Sequence, residues 1–255
     1  MIEHFQTAYF ISDAHIGAGS REEEFKKINK LLTFLDNNIN SDTGLFILGD
    51  LFDFWFEYKN VIPRAGIRLM AKLIELARCG VRIRYIGGNH DFWIGERFLN
   101  EIGIPYFDSE VECTIRGKNF FIAHGDNLPA PDFMQRLLNA TLRSPLNIRL
   151  YRLLHPDIGL AFGRMVARMI RKNSSKRHPP SELFYVQFAE NHFKRGIDYV
   201  VMGHTHRPFI NKNGEHGIMN IGDWIDHNTY GYFDGKTLTL NEWKGNGLKK
   251  DLANI

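Results

Sequence analysis

The stretch YVVMGHTHRPFI, residues 199–210, joins a short apolar run to two histidines that stand one residue apart. Its first four residues have the length and β-branched content of a buried strand. Gly203 then follows, and His204 and His206 come where that strand should end. A single histidine in a loop is usually a surface residue, whereas two at this spacing behind a glycine resemble metal ligands, a pattern that also occurs by chance in many chains. The stretch therefore predicts a strand whose carboxyl end carries ligands.

Four other short apolar runs end in the same way, each in a polar cluster. They are AYFIS before Asp13, LFIL before Gly49 and Asp50, RIRYI before Gly87 to Asn89, and FFIA before His124. Helical spacing of apolar residues over Glu22 to Asp36 and Ala65 to Arg78 separates the first three runs. Strands that alternate with helices favour an α/β fold. Later runs alternate apolar and polar residues around turn glycines, so we expect part of the sheet structure to be antiparallel or mixed.

The polar clusters at the strand ends are expected to converge, because ligands of α/β sheets bind beyond the carboxyl ends of the strands. Together they offer carboxylate, amide and imidazole donors and no thiolate. This mixture suits Mn²⁺, Fe or Zn²⁺ and disfavours a closed structural zinc site. Seven donors are too many for one ion but fit two ions that share a carboxylate, for which Asp50 is the predicted bridge. The predicted ligands are Asp13, His15, Asp50, Asn89, His124, His204 and His206.

The order of these clusters resembles that of the calcineurin-like metallophosphoesterases, whose motifs are DxH, GDxxD, GNH(D/E), H and GHxH. All five blocks are present between residue 10 and about residue 225. The resemblance implies a four-layer α-β-β-α sandwich of two mixed sheets, with helices outside. It also implies two metal sites that share Asp50. The first is held by Asp13, His15, Asp50 and His206, and the second by Asp50, Asn89, His124 and His204.

The chemistry expected of this arrangement is phosphoester hydrolysis by two divalent ions, with Mn²⁺ expected and Fe or Zn²⁺ as alternatives. Two such ions about 3.5–4 Å apart polarise phosphoryl oxygens and lower the pKa of a water between them. His90 is not needed as a ligand and is the predicted general acid or charge stabiliser for the leaving oxygen. Asp91 is the predicted partner that orients the His90 ring. Asp53 has a similar supporting interpretation, with loop capping as the alternative.

About eighty residues separate the His124 run from the His204 run, too many for a connecting loop. Residues 128–182, called the insertion below, are interpreted as a helical lid within a single domain of residues 1–255. Helical patterns there cover Met134 to Leu142, Asn147 to Leu154 and Gly159 to Lys172. In the third helix an apolar stripe and a basic stripe lie on different faces. The apolar stripe is Phe162, Met165, Val166, Met169 and Ile170, and the basic stripe is Arg164, Arg168, Arg171 and Lys172.

The formal net charge of +3 is distributed unevenly along the chain. Residues 133–180 contain ten Lys and Arg against one acid, a net +9, which leaves the remainder at −6. Such a basic island indicates a partner with negative charge, and a solvated helical face is the alternative. Because the charges lie on helices with apolar companions, the expected partner is a phosphorylated amphipathic molecule or lipid. An anionic membrane surface is a second expected partner, and a nucleic acid is not expected.

Within the superfamily, the chain resembles the bacterial UDP-2,3-diacylglucosamine diphosphatases of lipid A synthesis. The similar segments are FISDAHIG, LGDLFDFW, GNHDFWIG, HGD, RMIRKNSS and GHTHRP. The resemblance implies hydrolysis of the diphosphate to a lipid monophosphate and UMP, with the insertion over the acyl chains. One position departs from it, since the best-known members carry arginine where this chain has His90. The substrate contacts that it implies are Asn89, Arg168, Arg171, Asn173, Ser174 and Lys176.

A nucleotide or cyclic-nucleotide phosphodiesterase of the same superfamily is the alternative function. It would share every metal ligand but would have little use for a lipid-compatible helix. A non-catalytic metal-binding scaffold is disfavoured because His90 and every ligand are present. The N-terminus runs directly into a strand pattern, so a signal peptide is not expected. A membrane span is not expected either, because the sequence has no run of about 18 apolar residues. The two cysteines belong to no CxxC pattern, and the expected location is the cytoplasm, including the inner face of the inner membrane.

Overall fold

The computed structural model describes residues 1–3, 5–94, 96–128, 141, 144–174, 182–245 and 249–251. Of the helix predicted over Met134 to Leu142, all but Thr141 lies outside the described residues. The helices are α1 (Arg21–Asn38), α2 (Ile67–Arg78), α3 (Glu96–Glu101), α4 (Pro145–Tyr151), α5 (Pro156–Ser174) and α6 (Glu182–Phe193). Two 3₁₀ turns cover Arg64–Gly66 and Phe92–Ile94.

The strands of the described residues form two mixed sheets. They are β1 (Ile2–Glu3), β2 (Thr7–Ile11), β3 (Thr43–Leu48), β4 (Arg82–Ile86), β5 (Tyr106–Phe107), β6 (Glu110–Ile115), β7 (Lys118–Ala123), β8 (Tyr199–Met202), β9 (Phe209–Asn213), β10 (His216–Asn220), β11 (Thr229–Phe233), β12 (Leu238–Trp243) and β13 (Lys249–Asp251). One sheet has six strands in the order β1-β6-β7-β8-β10-β9, and the other has seven in the order β13-β12-β11-β2-β3-β4-β5. In the seven-stranded sheet β2, β3 and β4 are parallel neighbours, and in the six-stranded sheet β7 and β8 are parallel neighbours.

Phenylalanine rings fill the space between the two sheets. Phe10 of β2 lies 5.2 Å from Phe46 of β3 and 5.9 Å from Phe120 of β7, measured between ring centroids. Helices α1 and α2 cover the outer face of the seven-stranded sheet through residues such as Phe34 and Leu73. Helix α6 covers the other sheet with a smaller cluster. These layers confirm the predicted α-β-β-α sandwich.

The helix termini follow local rules where the sequence supplies the signal. Ser20 and Glu23 form a capping box that starts α1, one residue before the predicted beginning of the helix. Helix α2 ends at Arg78, as predicted, and Gly80 continues the chain with a φ of 88°. The 3₁₀ turn before α2 covers the first predicted helical residues. None of the described helices combines the length and the apolar content that crossing a bilayer requires.

Helices α4 and α5 of the insertion differ in their bounds from the prediction. Helix α4 begins at Pro145 and ends three residues before the predicted Leu154, and α5 begins at Pro156 rather than Gly159. Proline at the first helical position loses no hydrogen bond, which is why both helices start there. Helix α5 packs closely against the loop after β3. A Cβ atom at Gly163 would lie only 2.2 Å from the Phe54 ring, so this close approach requires glycine. This contact sets the distance between the insertion and the strand ends.

Candidate metal centre

The five polar clusters of the sequence meet at the carboxyl ends of β2, β3 and β4 in one sheet and β7 and β8 in the other. Main-chain hydrogen bonds join the clusters within each sheet. The Asp13 N–H donates to the Gly49 carbonyl over 3.2 Å, and the Gly203 N–H donates to the His124 carbonyl over 3.0 Å. The His204 N–H donates to Asp13 Oδ2 over 2.9 Å and links the two sheets. The candidate site therefore lies on an edge that the two sheets share.

Five of the seven predicted ligands have a left-handed backbone, with φ between 42° and 70°. Among the described non-glycine residues, only Arg116 and Asn228 share this region. Such a backbone costs about 1–2 kcal/mol per residue, so the surrounding structure must hold it in place. Concentration of strain at one site is typical of functional residues. The five residues are Asp13, His15, Asp50, His204 and His206.

The carboxylate of Asp50 lies between two groups of predicted ligands. Its Oδ1 atom accepts a hydrogen bond of 2.8 Å from the His90 N–H. Its Oδ2 atom lies 3.6 Å from His15 Nε2 and 3.5 Å from His124 Nε2. Two ligand atoms of one ion, each at about 2.0–2.2 Å from it, lie about 3–4 Å apart. The single Oδ2 atom thus has the position expected of a bridge.

The first ligand group contains Asp13, His15 and His206, whose donor atoms all lie within 4.8 Å of one another. Asp13 Oδ1 lies 3.3 Å from His206 Nε2 and 3.8 Å from His15 Nε2. The other Asp13 oxygen accepts from the His204 N–H and the Ser12 hydroxyl. His15 is buried, yet neither of its ring nitrogens has a hydrogen-bond partner among the described residues. A buried imidazole without such partners fits a cation ligand.

The second ligand group contains Asp50, His124 and His204, again with donor atoms within 4.8 Å of one another. His124 Nδ1 donates to the Leu48 carbonyl over 2.7 Å, which leaves Nε2 as the nitrogen available to a cation. Asn89 Oδ1 lies 3.2 Å from that Nε2 atom. The structure therefore brings all seven predicted ligands together in two adjoining groups.

Charge within the site follows from burial and from these contacts. Burial alone would raise the pKa of Asp50. The nearby histidines, His124 first, lower the pKa by a larger amount, so that it lies well below its usual value. Burial lowers the pKa of His124, but the Asp50 carboxylate outweighs this effect, and the pKa is raised well above its usual value. Burial lowers the pKa of His204 to about 4. The Asp50 carboxylate is therefore ionised, and a cation bound to it would replace the His124 proton as counter-charge.

His90 is buried beside the ligand groups. Its Nδ1 atom lies 2.9 Å from the Asp53 carbonyl oxygen, to which it donates, so Nε2 is the nitrogen available to a substrate. Asp53 Oδ1 lies 3.7 Å from His90 Nδ1 and 3.6 Å from His15 Nδ1, in agreement with a supporting role for Asp53. Burial lowers the pKa of His90 to about 4, so proton donation requires a nearby anion that raises the pKa again.

The prediction that Asp91 orients the His90 ring is wrong. The Asp91 carboxylate is fully buried and accepts hydrogen bonds from the main-chain N–H groups of neighbouring loops instead. It also accepts one from the Tyr85 hydroxyl. The sequence pattern placed Asp91 next to His90 along the chain, but successive side chains in this turn point to different neighbours.

A cavity of about 280 Å³ adjoins the ligand groups at Asn89 and His90. Its other walls are mostly apolar and come from Phe54, Trp93 and helices α4 and α5. The ring centroids of Trp93 and Tyr151 lie 5.2 Å apart. The cavity thus joins the polar strand ends to an aromatic compartment beneath the insertion.

The predicted apolar stripe of α5 is divided between two environments. Phe162, which is 48% exposed, and the half-buried Val166 line the cavity, whereas Met165 and Met169 are 49% and 58% exposed and are not among its lining residues. Of the predicted substrate contacts on this helix, Arg168 is exposed. Arg171, Asn173 and Ser174 belong to α5, but their side chains lie outside the described part of the structure, as does all of Lys176.

Comparison with known proteins identifies the family. The family profile described as calcineurin-like phosphoesterase matches residues 7–208, a range that contains every predicted ligand. The chain belongs to the calcineurin-like phosphoesterases. It is therefore a phosphohydrolase, and its family uses divalent metal ions.

Two curated relatives of this phosphoesterase are named UDP-2,3-diacylglucosamine hydrolase. The protein from Porphyromonas gingivalis is 32% identical over 256 residues, which cover 91% of this chain and 95% of the relative. The protein from Nitrosococcus oceani is 31% identical over 226 residues, 85% of this chain and 86% of the relative. A solved archaeal phosphodiesterase is 15% identical with a TM-score of 0.45, and the match covers 92% of this chain and 98% of that chain.

Two residues near the phosphoesterase site were missed in the sequence. Asp223 Oδ2 lies 4.0 Å from His206 Nδ1, while Asp223 Oδ1 accepts from the N–H groups of Ile225 and Asp226 over 2.8 and 2.7 Å. Asp223 follows Gly222 just after β10, and this Gly-Asp pair repeats the pattern of Gly49 and Asp50. Tyr85, which donates to Asp91, carries no such signal because it reads as an ordinary strand residue.

The glycine at position 203 generates a steric prediction. A Cβ atom there would lie 2.3 Å from Ser12 Oγ and 2.6 Å from Asp13 Oδ2, so Gly203→Ala should displace the Asp13 carboxylate. We expect at least about a hundredfold loss of phosphodiester hydrolysis, since displacements of about 1 Å have this effect in active sites. Steady-state assays with a soluble phosphodiester measure it. The control is Gly217→Ala, whose Cβ would come no closer than 3.3 Å to Tyr199. Equal activities of the two variants would contradict the role of this close contact.

Proposed function

We propose that this phosphoesterase hydrolyses the diphosphate of UDP-2,3-diacylglucosamine to UMP and an acylated sugar monophosphate. The observation that carries the proposal is the cavity that joins Asn89 and His90 to an apolar compartment under α4 and α5. A diacylated sugar diphosphate needs both a polar reacting end and an apolar enclosure. The names of the Porphyromonas gingivalis and Nitrosococcus oceani relatives support the same substrate. The product would enter lipid A synthesis.

Two divalent ions would be held by residues of both sheets, and Mn²⁺ is the ion we propose. Asp13, His15, Asp50 and His206 would bind the first ion, and Asp50, Asn89, His124 and His204 the second. The mixed oxygen and imidazole donors suit Mn²⁺, and the buried His15 ring, whose nitrogens have no hydrogen-bond partner among the described residues, supports a cation beside it. When bound, the ions supply positive charge to the phosphoryl oxygens and lower the pKa of an attacking water.

The protein groups around the ions would orient the substrate and assist the leaving group. Asn89 and His90 line the cavity, so a phosphate that reaches the ligand groups passes both side chains. The Asp53 carbonyl accepts from His90 Nδ1 and turns Nε2 toward incoming substrate. The negative charge of a bound diphosphate favours the imidazolium form of His90, which would then donate to the leaving phosphate oxygen. The aromatic walls would exclude bulk water from the reacting bond.

The outer face of the insertion suits an anionic bilayer. Met165 and Met169 are exposed there, and so are Ile158 on α5 and Leu150 on α4. Arg149 on α4, Arg152 just after α4 and Arg168 on α5 are exposed as well. Exposed apolar and basic residues on amphipathic helices favour peripheral binding at an interface, without a span. Arg168, Arg171, Asn173, Ser174 and Lys176 remain the proposed contacts of the phosphosugar, and the inner face of the inner membrane is the proposed location.

The direct test is hydrolysis by purified Mn²⁺-loaded protein of three substrates in parallel. They are UDP-2,3-diacylglucosamine in detergent, bis(p-nitrophenyl) phosphate and a cyclic nucleotide. We expect kcat/KM to be highest for the acylated sugar nucleotide, with UMP and an acylated sugar phosphate as products. A preference for the cyclic nucleotide would replace the lipid substrate with the alternative, a nucleotide or cyclic-nucleotide phosphodiesterase. His90 is the reason to test this alternative, because the best-known diphosphatases carry arginine at its position.

Removal of the proposed bridge should abolish the metal site. Asp50→Ala deletes the one oxygen that faces both His15 and His124, so we expect loss of both ions and of essentially all hydrolysis. Elemental analysis after gel filtration, with circular dichroism to confirm folding, measures the outcome. The exposed Asp42 provides the control, and Asp42→Ala should keep both ions. Two ions per folded Asp50→Ala chain would refute the shared-carboxylate assignment.

Loss of His90 should affect the rate and leave the ions in place. His90→Ala removes the proposed donor to the leaving oxygen, and we expect kcat to fall by roughly 10²–10⁴ with both ions retained. Steady-state kinetics beside elemental analysis separate the two effects. His216→Ala, in which the removed ring stacks on Phe193, is the matched control and should keep wild-type kcat. If His90→Ala also keeps wild-type kcat, His90 is not a catalytic residue.

The two sides of α5 should respond differently to a new charge. Val166→Asp puts a carboxylate into the apolar cavity, at a cost of about 1–3 kcal/mol, or roughly five- to 150-fold in kcat/KM for the diacylated substrate. Hydrolysis of bis(p-nitrophenyl) phosphate should change little. Met165→Asp, next to it on the exposed side, is the control and should leave both activities in detergent unchanged. Equal losses for both substrates in Val166→Asp would argue against acyl chains in the cavity.

A further inference from the structure

Asp91 gathers more hydrogen-bond donors than a surface-loop aspartate could. Its side chain is fully buried, at 0% exposure. Oδ1 accepts from the main-chain N–H groups of Asp50 over 3.1 Å and Gly88 over 3.0 Å. Oδ2 accepts from those of Leu51 over 2.8 Å and Phe52 over 3.3 Å, and from the Tyr85 hydroxyl. The carboxylate thus holds two loops, the one after β3 and the one after β4.

The contacts between these loops are reciprocal. The Asp91 carboxylate accepts a hydrogen bond from the Asp50 N–H, and Asp50 Oδ1 accepts one of 2.8 Å from the His90 N–H. Each loop therefore supplies a carboxylate that fixes the backbone of the other. Once Asp50 Oδ1 is engaged in this way, Oδ2 is directed toward His15 and His124.

The backbone of Asp50 needs such support. Its φ of 50° is a left-handed conformation that an aspartate adopts only when its surroundings hold it. Gly88 lies so close that a Cβ atom on it would be 2.2 Å from Asp50 Oδ1. A small rotation of the loop after β3 would therefore move Oδ2 away from one of the two ligand groups.

We propose that Asp91 is a positioning residue that would place the Asp50 carboxylate between the two ions. In this way Asp91 would determine whether the electron spins of two bound Mn²⁺ ions are coupled. This role rests on the proposed function, because it concerns the shared bridge of the two-ion site. Asp91 is not one of the proposed ligands and does not line the cavity, and it would act through the backbone of Asp50, whose N–H it accepts.

Asp91→Asn is the sharpest variant because it keeps the shape of the side chain. An amide offers one acceptor oxygen, so its NH₂ group must face either the N–H groups of Asp50 and Gly88 or those of Leu51 and Phe52. Two donors in contact repel in both orientations, and the loop after β3 must shift. Tyr85→Phe removes the phenol donor and leaves all four main-chain contacts, so it should perturb the site much less.

A general loss of stability needs its own control. Glu3 is another buried carboxylate, and it binds Arg84 through two hydrogen bonds of 2.8 and 2.9 Å rather than the strand-end loops. Glu3→Gln should lower the melting temperature while leaving the metal site intact. Comparison of Asp91→Asn with Glu3→Gln separates positioning of the bridge from stabilisation of the fold.

The experiment measures Mn²⁺ binding by titration calorimetry and the coupling of the bound ions by electron paramagnetic resonance. The wild type, Tyr85→Phe and Glu3→Gln should bind two ions per chain with the spectrum of a spin-coupled pair. Asp91→Asn should bind Mn²⁺ about 10–100-fold more weakly, as is usual for a lost partner of a ligand, and its spectrum should be that of isolated ions. A wild-type-like affinity and coupled spectrum in Asp91→Asn would overturn the inference. A wild type that binds fewer than two ions would overturn the proposed two-ion site itself.

A second measurement needs no variant and applies even if Asp91→Asn does not fold. Hydrogen exchange of the wild-type protein reports on the N–H groups of Asp50, Leu51 and Phe52, whose hydrogen bonds go to Asp91 rather than to a sheet. Protection comparable to that of the β3 strand is expected. Exchange of these N–H groups at the rate of an open loop would overturn the proposed role of Asp91.

Discussion

The position of one oxygen atom, Asp50 Oδ2, governs the rest of the site. It lies 3.6 Å from His15 Nε2 and 3.5 Å from His124 Nε2, residues that come from different sheets. The six-stranded and seven-stranded sheets must therefore pack at a fixed distance, which the phenylalanine layer between them maintains. The His204 N–H bond to Asp13 ties the same two sheets at the site itself. Core packing and ligand geometry are in this sense one constraint.

The cost of this geometry is local. The ligands at three of the strand ends adopt a left-handed backbone, and neighbouring groups hold them there. Asp13 and Asp50 share a pattern in which one oxygen binds the backbone of another loop and the other faces the histidines. Fixing one oxygen orients the other without mobile side chains.

Much of this could be predicted from the sequence, because it depends on local order. Apolar runs that end in Asp, Asn or His identify strands, and the residue types identify the donors. The partners of Asp91 could not be predicted, since they depend on how the loops after β3 and β4 fold against each other. The sequence also could not show that, in the apolar stripe of α5, Val166 lines the cavity while Met165 faces away from it. This difference depends on the rotation of the helix, which the contact between Gly163 and Phe54 fixes.

The proposed site depends on two ions that share one carboxylate, and anomalous diffraction from crystals of the Mn²⁺-loaded protein tests this arrangement most directly. Data collected at the manganese edge locate each ion independently of the protein density. Two peaks about 3.5–4 Å apart, the usual spacing in two-metal sites, are expected, one on each side of Asp50 Oδ2. A single peak, or two peaks of which only one adjoins Asp50, would contradict this arrangement.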